Sequence, residues 1–148
     1  MDNKTLVRTF LDDVFNKRDL SKLSTYCVEN FSCHDTMYNP RNLTELRRVY
    51  ETFHTAFTDM RIVIEAQFTD GDYVCTRITV TGKDTGGFMG KPASGKKFTV
   101  TGMQFDRVQN GRLQEEWLQM DYLSMVQQLN LVPRLESSKP AQPYQPHA

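Results

Sequence analysis

The chain has 148 residues, of which 39% are hydrophobic and 24% charged, an ordinary mix for one domain with one core and not that of a disordered segment. Lysine plus arginine and aspartate plus glutamate both total 18, so the formal net charge is zero and no global field draws in nucleic acid or an anionic membrane. No stretch approaches the roughly 18 apolar residues that span a bilayer. The opening MDNKTLVRTF also lacks the apolar run of a secretory signal. Cys27, Cys33 and Cys75 are odd in number and scattered, which argues against a disulfide framework or a thiolate zinc site and for a reduced, cytoplasmic setting. Sequons at Asn3, Asn30 and Asn42 are then chance matches.

In chain order, residues 3–17 predict an amphipathic helix. Val7, Phe10, Leu11 and Val14 form its apolar stripe, with Thr5, Thr9, Asp12, Asp13 and Asn16 opposite. A second helix is expected from Asp19, capped by its carboxylate, to about Asn30, followed by a short extended piece over residues 31–34 and a break at Asn39-Pro40. Leu43 to Phe57 is a third helix, with Leu46, Val49, Tyr50, Phe53 and Phe57 recurring at helical steps and Asn42 and Glu45 at capping-box spacing. The period then changes. Residues 60–68 and 73–81 read as hairpin arms around Asp70-Gly71-Asp72. Residues 82–96, with five glycines and a proline, form a loop. Residues 97–108 and 112–121 are strands around Asn110-Gly111, the dipeptide of a two-residue type I′ hairpin. A short apolar helix follows, ending at Asn130. The expected division is a folded domain over residues 1–132 and a flexible, proline-rich tail over 133–148. Helices followed by a meander of long strands define an α+β fold with helices on one face of the sheet.

Counting outward from a two-residue turn pairs Asp106 with Glu115, Gln104 with Trp117 and Gly102 with Gln119. Glu115, Trp117, Gln119 and Asp121 then share a face with Gln104 and Asp106, while Glu116, Leu118, Met120, Met103 and Phe105 lie opposite. A β-bulge shifts such a register. The polar face around the only tryptophan is either the solvent side of the sheet or the wall of a small-molecule pocket. Tyr38, Tyr50 and Phe53 would close a pocket from the helical side, or simply be core. Residues 90–97 come near a phosphate loop, but Lys97 replaces the hydroxyl residue and a strand follows. His34-Asp35 and His54 lack metal-ligand spacing.

Thr81 to Gly90 with Pro92 to Lys96, Gly111 to Trp117 with Asp121, and Gln127 to Asn130 together resemble the motifs of SnoaL-like polyketide cyclases and ester cyclases. Phe57-Thr58-Asp59-Met60 and Asp70 to Val74 are similar to further segments of that family, and the likeness runs over about residues 3–131. The resemblance implies the cone of the nuclear transport factor two superfamily: a curved antiparallel sheet wrapped around three N-terminal helices (a cystatin-like α+β barrel), with a pocket between them. It also implies intramolecular aldol ring closure of a polyketide-like hydrophobic carbonyl compound, without metal or organic cofactor. Asp121, matching W-x-x-x-D with Trp117, would be the catalytic acid/base. His34 and Gln104 would line the site and hold the enolate oxygen, with Trp117, Gln119, Phe53, Tyr50 and Tyr38 as substrate-binding walls. A cyclase or isomerase on a small hydrophobic or aromatic ligand is therefore expected. The alternatives are a hydroxylase- or hydratase-like enzyme and a non-catalytic binding module. A homodimer or higher homo-oligomer through the outer sheet face is implied too, with Leu118, Met120, Met103 and Phe105 either forming that surface or packing on the chain's own helices. The family commonly has Thr-His-Thr-Gly where this chain has Lys83-Asp84-Thr85-Gly86.

Overall fold

In the computed structural model, which describes residues 1–133, helices pack into the concave side of a curved, unclosed five-stranded sheet. Helix α1 (Asn3–Phe10) starts on Asp2, whose carboxylate accepts from the Thr5 N–H at 2.7 Å. It runs on as a wider π-helical segment, Leu11–Asn16, so the expected helix is present but changes pitch. The change has a consequence for Asp13, expected on the polar side. It is buried instead, accepting from Tyr26 Oη at 2.6 Å, Lys22 Nζ at 2.9 Å and Lys17 Nζ at 3.0 Å. These donors hold its carboxyl well below the ordinary range, and burial together with Asp13 pushes the Tyr26 phenol up to about 12.

The second helix is much shorter than expected. A 3₁₀ turn, Leu20–Lys22, leads into α2 (Leu23–Tyr26), and β1 (Cys27–His34) begins where the helix was predicted to continue. Asp19 does not cap the backbone here; its carboxylate takes the Ser21 hydroxyl at 2.5 Å. Cys27, Phe31 and Cys33 point into the core from β1, and that burial overrides the local helical pattern. Helix α3 (Leu43–Ala56) follows the sequence reading: Asn42 Oδ1 accepts from the Glu45 N–H at 2.9 Å, and Glu45 reaches back to the Arg41 N–H at 2.8 Å.

Strands β2 (Arg61–Asp70), β3 (Tyr73–Lys83), β4 (Lys97–Gln109) and β5 (Arg112–Met120) form an antiparallel meander. The sheet order is β1-β5-β4-β3-β2, and β1 runs parallel to β5, so the sheet is mixed where a purely antiparallel one was expected. Helix α4 (Tyr122–Gln128) closes the described fold. The expected tail lies outside the described residues except for Pro133.

The turn is as predicted: Asn110 and Gly111 have φ of 52° and 71°, and Gln109 pairs with Arg112. The register beyond it is not. Val108 pairs with Leu113 but Arg107 pairs with Glu115, leaving Gln114 as a bulge. Every pair from there on moves by one: Asp106 faces Glu116, Phe105 faces Trp117 and Gln104 faces Leu118. The expected single face therefore splits. Gln104 and Asp106 turn inward with Glu116, Leu118 and Met120, while Glu115, Trp117 and Gln119 turn outward with Met103 and Phe105. The four apolar residues offered as one outer surface divide likewise, Leu118 and Met120 inside and Met103 and Phe105 outside.

Candidate active site

Between the concave sheet face and the helices lies a largely apolar cavity with ≈ 60 Å³ open to the centre of a water molecule. A space of that size takes several waters or one ring-sized group. Leu11 and Phe15 wall it from the first helical segment, Leu46, Val49, Tyr50 and Phe53 from α3, and Ile78, Val80, Leu118 and Met120 from the sheet. Tyr38 joins through the loop after β1, its ring edge-on to Phe53 at 5.3 Å. Of the residues expected at the site, Gln104, Tyr38, Tyr50 and Phe53 thus line the cavity.

The others do not. Asp121 is exposed and caps α4, accepting from the Ser124 N–H at 3.0 Å. His34, at the end of β1, stacks on Trp117 on the outer sheet face with ring centroids 5.4 Å apart, and its Nε2 lies 2.7 Å from Glu115 Oε1. Gln119 sits beside them. The bulge at Gln114 is the physical reason: it turns the Trp117 and Gln119 side chains through the sheet.

In their place stands a polar cluster of different membership. Glu116 lies on the cavity wall, directly paired with Asp106 of β4, and both are buried. Gln104 Nε2 donates to Asp106 Oδ2 at 2.7 Å and to Glu116 Oε2 at 3.3 Å, and the Cys33 thiol donates to Glu116 Oε1 at 3.1 Å. Asp106 Oδ1 is buried with no hydrogen-bond partner among the described residues. Among the described residues, no Lys or Arg side chain bonds either carboxyl. Burial raises both carboxyls, and Asp106 rises furthest because the neighbouring Glu116 charge adds to its own desolvation. Burial thus favours a proton on the pair, and Asp106 is the member pushed up further.

A second acid stands where the cavity meets the surface. Tyr122 Oη donates to Asp35 Oδ2 at 2.5 Å, and the Thr36 N–H donates to Asp35 Oδ1 at 2.6 Å. Burial nevertheless raises the Asp35 carboxyl, and burial with Asp35 raises the Tyr122 phenol. Burial also pushes the Tyr50 phenol well up, with Glu116 and Cys33 adding to it, so Tyr50 is a neutral donor in the cavity. His54 is half-buried against the Phe15 carbonyl, 3.1 Å from Nε2, and belongs to the helix packing. Among the described residues no three His, Cys, Asp or Glu side chains converge as a metal ion requires. The near-phosphate loop leads into β4, and its neighbour Asp84 is wholly buried, accepting from the N–H groups of Gly87 and Ser94 at 3.0 Å each.

Glu116, Asp106, Asp35, Tyr122 and Cys33 were not assigned site roles from the sequence. A signal was present: Leu113 on one parity and Leu118 and Met120 on the other cannot all face inward unless β5 carries one extra residue.

Helices and a curved sheet, packed around an apolar cavity with buried carboxyls on its wall, define an α+β protein with a pocket between sheet and helices. The sequence matches the SnoaL-like polyketide cyclase family over residues 5–129, and the chain belongs to that family, whose name carries a cyclase-type role. Among solved structures it is similar to TsrD from Streptomyces laurentii, with 22% identity, 89% of this chain and 99% of that one covered and a TM-score of 0.78. IdmH from Streptomyces antibioticus gives 24% identity, coverage of 88% and 99% and a TM-score of 0.77. A SnoaL-like polyketide cyclase from Agrobacterium tumefaciens gives 18%, 87% and 99%, and 0.73. At such identities these structures speak for the fold. Among proteins of curated function none matches the sequence. No helix among the described residues is long and apolar enough to cross a membrane.

Proposed function

We propose that the protein is a cofactor-independent cyclase or isomerase that moves a proton at carbon next to a carbonyl, with Glu116 as the acid/base. The observation that carries this is Glu116 itself: a carboxyl on the wall of an apolar cavity, bonded to no cation among the described residues and raised by burial. A base with a proton affinity nearer neutrality is a better shuttle than an ordinary carboxylate.

Glu116 takes the α-proton, and the C–H pair becomes the enolate double bond. The Tyr50 hydroxyl, on the same cavity surface, supplies a donor for the enolate oxygen, while the Gln104 amide stays bonded to the two carboxyls. Attack of the enolate carbon on a second carbonyl within the same molecule forms the C–C bond, and the resulting alkoxide takes the proton back from Glu116. Asp106 keeps a proton beside Glu116 throughout, so the base works as a single negative charge. The substrate class that suits the walls is a polyketide-like hydrophobic carbonyl compound whose reacting end enters the cavity. Asp121 and His34 then act outside the proton transfer.

Phenylacetone, one ring bearing a ketone, tests the chemistry without knowledge of the natural substrate. In D₂O the protein is expected to accelerate exchange of its α-protons, and Glu116→Gln to remove about 10²–10⁴-fold of that rate. Binding of phenylacetone with no acceleration by the wild-type protein would point instead to a binding module.

A further inference from the structure

The cavity wall carries a second proton-bearing group that proton transfer by Glu116 leaves unused. Strand β1 pairs with β5 as far as His34 opposite Trp117, and Asp35 follows where the chain leaves the sheet. Asp35 lines the same cavity as Glu116, with Tyr122 of α4 bonded to it. Cys33 stands opposite Glu116 in the β1–β5 register and donates to it, and Asp35 is two residues further on. Two residues of extended chain span about 7 Å. Glu116 and the Asp35–Tyr122 pair thus face one small apolar space across room for a single carbon–carbon–oxygen unit with a hydrogen bond at each end. Resting on the reading of Glu116 as the base, we infer that the protein also eliminates water from a β-hydroxy ketone, with Tyr122, backed by Asp35, as the acid for the leaving hydroxyl.

The hydrogen bonding of the pair suits that task. Tyr122 Oη and Asp35 Oδ2 are 2.5 Å apart, and the Thr36 N–H fixes Oδ1 at 2.6 Å. Among the described residues no Lys or Arg side chain bonds Asp35, and burial raises its carboxyl, which favours the protonated form. A protonated Asp35 and Tyr122 hold two protons and share one hydrogen bond. When the carboxyl donates to the phenol oxygen, the phenol O–H is free for the ligand. Glu116 then takes the α-proton, the C–H electron pair becomes the new carbon–carbon double bond, and the bond from the β-carbon to oxygen breaks. The departing oxygen keeps that bond's electron pair and takes the phenol proton, leaving as water, while the phenol oxygen takes the Asp35 proton. The water, released between the two acids, carries the proton of Glu116 back to Asp35. Aldol addition at Glu116 supplies such a β-hydroxy ketone whenever the attacking carbon keeps a second hydrogen.

4-Hydroxy-4-phenylbutan-2-one, with one ring and both functional groups, reads the two acids separately. In D₂O its α-proton exchange, followed by NMR, reports on Glu116. Its elimination product, an enone conjugated with the ring, is followed by ultraviolet absorbance. The wild-type protein is expected to form the enone well above the rate in buffer. Tyr122→Phe and Asp35→Asn, which keep the side-chain shape, are expected to lower the ratio of enone formation to exchange by about tenfold or more. The inference is overturned if the wild type exchanges the α-protons but forms no enone above the rate in buffer. It is equally overturned if both variants change the two rates in equal proportion, as a bond that merely ties α4 to the loop would. Should the wild type neither exchange the α-protons nor form the enone, the Glu116 reading fails along with it.

Discussion

Asp106 and Glu116 form a buried acid pair whose cost depends on pH. Both carboxyls are raised above their unfolded values by burial, so folding favours the protonated forms. For Asp106 that contribution is complete below the ordinary aspartate value of 3.8 and is lost as pH climbs toward the raised folded value. Replacing Asp106 with Asn keeps the shape and removes the titration. The melting temperature of Asp106→Asn minus that of the wild type is therefore expected to grow more positive from about pH 4 to pH 9. A difference that stays flat over that range would mean that Asp106 does not carry a raised proton affinity. Asp121 belongs to a different account. Its carboxylate caps α4 through the Ser124 N–H, so Asp121→Ala is expected to cost about 1 kcal/mol in chemical denaturation while leaving proton exchange intact.

At the scale of elements, the loop between β3 and β4 shows how one residue organises a segment. Asp84 takes the Gly87 N–H, the Ser94 N–H and the Ser94 hydroxyl, at 3.0, 3.0 and 2.9 Å. Thr85 and Gly86 dock their N–H groups on the Ala56 carbonyl at the end of α3, and a Cβ at Gly86 would sit 2.0 Å from the Thr55 carbonyl oxygen. The loop thereby seats Phe88 on Phe57, with ring centroids 5.0 Å apart. Removing a buried acceptor strands its donors, so Asp84→Ala is expected to lose about 1–3 kcal/mol. Hydrogen exchange at Gly87 and Ser94 should quicken ahead of the strands; unchanged protection at both amides would show that Asp84 does not hold the loop.

The same scale separates what the sequence made legible from what it hid. The third helix, the hairpin turns and the glycine loop follow from local chemistry, as Asn42 and Asn110-Gly111 show. The second helix does not, because Cys27, Phe31 and Cys33 are drawn into the sheet by tertiary burial that no local pattern reports. For the expected site residues the reason is narrower: Gln104, Tyr38, Tyr50 and Phe53 line the cavity, but a single bulge at Gln114 places Glu116 instead of Trp117 on its wall. The switch of apolar parity between Leu113 and Leu118 held that information. Asp35 and Tyr122 come together across 87 residues and left no such trace.

For the whole molecule, the curved sheet has two different faces: a concave one closed by helices over a small cavity, and an outer one carrying aromatic side chains. They meet where β1 leaves the sheet, beside Asp35. Glu116 is the group proposed to move the proton, in place of the Asp121 that the family motif suggested. The measurement that decides between them is α-proton exchange of phenylacetone in D₂O by Glu116→Gln and Asp121→Asn side by side. Asn caps a helix about as well as Asp, so both variants should keep the fold. The expected result is loss of about 10²-fold or more for Glu116→Gln, with Asp121→Asn close to wild type. The reverse, with Asp121→Asn inactive and Glu116→Gln unimpaired, would contradict it.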